Sequence, residues 1–205
     1  MMRTAPLALV ATLLAPLTLS PVTAQAAEAG ANTAASRYVS LVRTDQPGGM
    51  FGYWGFDLYT DQKVGARFEV PTGADVRLAR VGLWLMNNSG SFQGRVTVSV
   101  QTDALDEGGS QSVPSGSTLG RWTAKVDTLG WTPVKQFFTS ASKPWLQAGR
   151  RYWVVAESAA PALQNPVWVT AASGTLFSTT TSLGAWQTGG DGAAPGLIVD
   201  GIAGE

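Results

Sequence analysis

The stretch LQAGRRYWVVAES, Leu146 to Ser158, decides the fold. Leu, Gly and Tyr stand at 146, 149 and 152, the spacing of a tyrosine corner. In that motif a Tyr near the start of a strand tucks inward, and its hydroxyl bonds to backbone a few residues upstream. The ring is buried while its polar tip is satisfied, and Leu146 packs beside it. Successive side chains on a strand point to opposite faces. Tyr152, Val154 and Ala156 are therefore expected to face a core, and Arg151, Trp153, Val155 and Glu157 the other side. Two readings follow for Trp153. Either segment 173–195 folds over it, burying it with Phe177 or Trp186, or it is an exposed platform for a sugar ring or a protein partner.

Short apolar runs alternate with turn signals on both sides of this stretch. RYVSLV (37–42), KVGARFEV (63–70), VRLARVGLWLM (76–86) and GRVTVSVQT (94–102) read as strands, and YWGFDLY (53–59) as a strand or a binding loop. TLGRWTAKV (118–126), TPVKQFFTS (132–140), RRYWVVAES (150–158), PVWVTAA (166–172) and GLIVDGI (196–202) also read as strands. Val64, Ala66, Phe68 and Val70 alternate with polar or small residues, as do Val96, Val98 and Val100. Segment 103–117 reads as a long polar loop. NNSGS (87–91) has the composition of a tight turn, which predicts a hairpin between 76–86 and 94–102. About nine strands at this spacing predict an all-β fold: a single two-sheet antiparallel β-sandwich with jelly-roll-like wrapping.

Residues 1–26 have the form of a secretory signal peptide, with Arg3, an apolar run and Ala24-Gln25-Ala26. Residues 27–36 read as a flexible leader and 37–205 as the β-sandwich domain. No span of a membrane is expected after signal cleavage. The chain ends without an apolar helix, a basic terminus or a sorting motif, so no anchor is expected from it. The localisation implied is secreted: extracellular or cell-surface, or periplasmic in a Gram-negative cell. The chain has no cysteine, so a core and hydrogen-bonded sheets must hold it without disulfides. Its 14 Lys and Arg balance 14 Asp and Glu, and with no basic run nucleic acid is not an expected partner.

The absence of His excludes a Ser-His-Asp or Cys-His nucleophile system. Without His or Cys the usual zinc and copper ligands are missing. No cofactor is expected. Asp103, Asp106 and Glu107 crowd one loop and would suit Ca²⁺ as hard oxygen ligands; a solvated acidic loop is the plainer reading. Glycoside hydrolysis needs two carboxylates about 5–10 Å apart, and Glu69 with Glu157 is the pair that neighbouring strands could bring together. GMFGYWGF (49–56) is a second aromatic cluster, either a plug at the mouth of the core or a ligand-gripping loop.

The order ARFEVPTGADVRLARVGLWLMNNSGSFQGRVTVSVQTD, LGRWTAKVD, KPWLQAGRRYWVVAES and VWVTAASG resembles bacterial choice-of-anchor R domains over roughly residues 37–200. Its most distinctive piece is the Leu-x-x-Gly-x-x-Tyr-Trp run ending at Trp153, followed by Trp168. The resemblance implies secretion and surface association, with no catalytic residues to carry over. The expected function is therefore non-catalytic binding or adhesion at a cell surface or in extracellular matrix. Glycan is the preferred ligand and a surface protein the alternative partner. Tyr53, Trp54, Trp153 and Trp186 are the candidate stacking residues. The rival readings are a carboxylate-dependent glycan hydrolase and a structural matrix subunit without a small ligand.

Overall fold

Alternation along the apolar runs builds two antiparallel sheets that share one core. The computed structural model describes residues 38–44, 54–88, 94–127, 129–171, 176–180, 184–189 and 194–203, all within one compact unit, Ala34–Glu205. The expected signal peptide (1–26) and leader (27–36) lie outside the described residues. Among those residues there is no helix, and none is long and apolar enough to cross a membrane.

The strands are β1 (Tyr38–Arg43), β2 (Gly55–Asp57), β3 (Val64–Glu69), β4 (Val76–Asn87), β5 (Arg95–Leu105), β6 (Ser112–Lys125) and β7 (Val134–Thr139). They continue with β8 (Trp145–Leu146), β9 (Arg151–Ser158), β10 (Pro166–Ala171), β11 (Phe177–Thr180), β12 (Trp186–Thr188), β13 (Ala194–Pro195) and β14 (Leu197–Ala203). An eight-stranded sheet runs β1-β14-β4-β10-β13, with β7 and β8 also on β4 and β2 on β10. A six-stranded sheet runs β12-β11-β3-β9-β5-β6.

Two expectations are corrected here. Fourteen strands are found among the described residues rather than nine. The polar stretch 103–117 is mostly strand, and segment 173–195 supplies β11, β12 and β13. The hairpin expected between 76–86 and 94–102 does not form: β4 lies in one sheet and β5 in the other, paired with β6 and β9. Alternation says which face of a strand is buried but not which neighbour it pairs with, and a tight-turn composition serves a crossing between sheets equally well. The hairpin that does form, β5 to β6, turns at Asp106–Gln111, where the Asp106 N–H donates to the Gln111 carbonyl at 2.8 Å.

The shared core takes Leu78, Val81, Leu83 and Leu85 from β4 and Leu197 and Val199 from β14. Against them lie Val64, Ala66 and Phe68 of β3, Val96, Val98 and Val100 of β5, and Tyr152, Val154 and Ala156 of β9. Burying one such Val, Leu or Phe side chain is worth about 1.5–3 kcal/mol. Trp122 of β6 ties the sheets together. Its indole N–H donates to the Thr139 carbonyl of β7 at 2.9 Å, and its ring lies 6.2 Å from that of Phe138.

The tyrosine corner forms as the sequence predicts. The Gln147 N–H donates to the Tyr152 hydroxyl at 2.8 Å. The Tyr152 ring is buried and stacks on Phe68 with centroids 5.7 Å apart. Gly149 turns the chain at φ +69°, in the left-handed region that glycine enters without steric cost, and its N–H donates to the Val70 carbonyl at 2.9 Å. Tyr152→Phe keeps the ring and removes the acceptor of the Gln147 N–H. It is expected to lower stability by about 1–3 kcal/mol in urea unfolding; an unchanged midpoint would contradict this role for the hydroxyl.

Candidate binding face

On β4 the residues that alternate with the core set form the outer face of the eight-stranded sheet. Register lays that face out in rows. Tyr38, Ile202, Arg77 and Trp145 lie across β1, β14, β4 and β8. The next row holds Ser40, Asp200, Arg80 and Thr139, and the one after it Arg43, Ile198, Gly82 and Phe137. Trp84 and Lys135 form the following pair, and Met86 with Val167 and Asp57 closes the face.

The centre of this face is fixed by charge and by space. The Asp200 carboxylate is buried and accepts from Arg80 Nε at 2.7 Å and Arg43 Nη2 at 3.4 Å. A Cβ at position 82 would stand 2.7 Å from Cε1 of Phe137, so only glycine lets that ring lie flat on the sheet. The Arg80 guanidinium then sits 4.5 Å from the Phe137 ring centroid and 5.1 Å from that of Tyr38. Arg77 covers the Trp145 ring at 4.5 Å, and Lys135 covers Trp84 at 4.8 Å. Every cation–π contact found among the described residues lies on this face, each worth about 0.5–1 kcal/mol where exposed. Tyr38 is 58% exposed, Trp145 48% and Phe137 36%. Such a surface offers flat rings to apolar C–H groups and cationic donors to polar or anionic ones.

The residues expected to stack on a ligand are not gathered here. Tyr53 lies outside the described residues. Trp54 is 72% exposed beside β2, with its carbonyl held by the Thr170 N–H at 2.9 Å. Trp153 points away from the main core, as the alternation requires, but it is fully buried and cannot serve as a platform. Strands β12 and β6, at opposite ends of the six-stranded order, touch each other. Trp153, Trp186 and Pro114 all lie against Gly65. Trp186 is half-buried there, and Phe177 packs instead on Phe56, with centroids 4.7 Å apart.

The expected calcium ligands do not converge either; among the described residues no group of three acids could hold a metal ion. Asp103 accepts from the Trp153 indole N–H at 2.6 Å and from the Ser112 hydroxyl, which satisfies the buried indole. Asp106 accepts from the Ser110 and Gln111 N–H groups at 2.8 and 3.0 Å, closing the hairpin turn. Those backbone bonds, Gln111 first, hold its carboxyl below the usual Asp value. Glu107 is exposed in the same turn.

Glu69 and Glu157 do not form a catalytic couple. Glu69 pairs with Arg151 across β3 and β9, whereas Glu157 lies six residues further along β9, a separation of about 20 Å. Glu157 instead takes salt bridges from Lys63 at 2.8 Å and Arg121 at 2.7 Å. A groove of about 500 Å³ opens at the corner, lined by Glu69, Thr102, Asp103, Gln147, Arg150 and Arg151. Its charges largely face one another: Arg151 reaches Glu69 at 3.4 Å. Nearby Arg67 is held below the usual guanidinium value by burial first and then by Arg151, with Asp103 and Glu69 opposing.

Among the described residues, Tyr38, Trp131, Phe137 and Trp145 are exposed rings that sequence reasoning missed, and all but Trp131 lie on this face. One signal was present: if Leu146 points inward at the corner, Trp145 must point outward. The chain matches no family model and no curated protein. Asp200→Asn weakens the acceptor shared by Arg43 and Arg80. It is expected to cost about 1.5–3 kcal/mol, the range for a hydrogen bond to a charged group. A urea midpoint equal to wild type would show that this pair does not fix the face.

Proposed function

We propose that the chain is an exported, non-catalytic β-sandwich module that binds at a cell surface or in extracellular matrix, with a glycan as its ligand. The observation that carries this reading is the outer face of the eight-stranded sheet, where Tyr38, Phe137 and Trp145 are exposed on one surface. A pyranose presents an apolar face of C–H groups that fits such rings, while its hydroxyls accept from neighbouring arginines. Trp54, exposed beside β2, is a second stacking position. Export rests on the signal-like segment 1–26. Jelly-roll-like wrapping of the two sheets, and kinship with choice-of-anchor R domains through the Leu146-to-Trp153 run, belong to the same proposal.

A glycan array probed with wild type, Trp145→Ala and Trp54→Ala tests it. Wild type is expected to bind at least one glycan. Loss of the Trp145 ring is expected to weaken binding about tenfold, which is about 1.4 kcal/mol. Absence of binding to every sugar, or equal binding by Trp145→Ala, would overturn the reading.

A further inference from the structure

We infer that the glycan taken by this face is an acidic polysaccharide with a carboxylate in each repeating unit, an inference that rests on the glycan reading above. The chain as a whole is neutral, with 14 basic and 14 acidic residues, yet its charges are unevenly laid out. On the six-stranded sheet Lys63 and Arg121 pair with Glu157 and Arg151 with Glu69, while Arg67 lies in the field of Asp103 and Glu69. On the outer face of the eight-stranded sheet, Arg43, Arg77, Arg80 and Lys135 stand against Asp200 alone across the rows from Tyr38 to Lys135. Asp57 lies beyond them at the far end, bonded by Asn88 at 3.3 Å and Asn165 at 2.8 Å.

Asp200 engages Arg43 and Arg80. Arg77 and Lys135 are exposed and lie over Trp145 and Trp84; among the described residues neither has a carboxylate partner. Each of these rings therefore lies against a cation, so rings and cations stand side by side along the sheet. A local surplus of one sign draws in a ligand of the other and strengthens short-range pairing with it. A uronate-type sugar supplies both complements in one unit, C–H groups for the ring and a carboxylate for the guanidinium or ammonium.

The test is binding of the chain without residues 1–26 to immobilised polygalacturonate, alginate and hyaluronan. The same polymers with their carboxylates fully methyl-esterified, single-stranded DNA and phosphatidylglycerol vesicles are run beside them. At least one acidic polymer is expected to bind. That binding should fall tenfold or more on esterification and again in the Arg77→Gln/Lys135→Gln double variant, whose folding is checked by its urea midpoint. Equal binding to the acidic and esterified forms, or undiminished binding by the folded double variant, would overturn the acidic assignment and leave the glycan reading standing. Preference for DNA or vesicles over every polysaccharide would also overturn it. If no polysaccharide binds in either form while neutral sugars bind on the array, the acidic assignment alone fails; if nothing binds in either experiment, both readings fail.

Discussion

The bond from the Gln147 N–H to the Tyr152 hydroxyl sets the phase of two strands at once. It holds Tyr152 inward at the start of β9 and Leu146 inward on β8. Because side chains alternate, Trp145 and Trp153 must then both leave the shared core, on different sheets. One becomes part of an exposed face; the other becomes the centre of a second buried site. The corner thus fixes which indole meets solvent and which does not.

The two outer faces differ in what covers them. The six-stranded sheet brings β12 and β6 together, so Trp153 is enclosed with Trp186 and Pro114 around Gly65. A buried indole N–H needs an acceptor, and Asp103 supplies it. The eight-stranded sheet is held instead by a buried carboxylate between two arginines and by a ring lying on Gly82. Tyr38, Phe137 and Trp145 on its outward side stay in solvent, each ring held by a cation. Function is proposed for that face because it combines exposed rings with a surplus of positive charge.

The faces of the strands were legible in the sequence, and their partners were not. Val64, Ala66 and Phe68, Val96, Val98 and Val100, and Tyr152, Val154 and Ala156 all face the core as their alternation demanded. The pairing of β4 depends on crossings between sheets, which leave no periodic trace, so a hairpin with β5 was the wrong inference. Asp103 and Asp106 looked like ion ligands because local spacing does not reveal that one serves a distant indole and the other caps a turn. The candidate binding face was hidden for a related reason. Tyr38, Arg77, Phe137 and Trp145 come from four separate strands and meet only through register.

Hydroxyl-radical footprinting with mass spectrometry, reading oxidation at individual tryptophans of the folded chain, tests the phase of the corner most directly. Trp145 is expected to oxidise readily while Trp153 and Trp168 stay protected until the chain unfolds. Ready oxidation of Trp153 with protection of Trp145 would mean that the strands run in the opposite phase, and the account of both faces would fall with it.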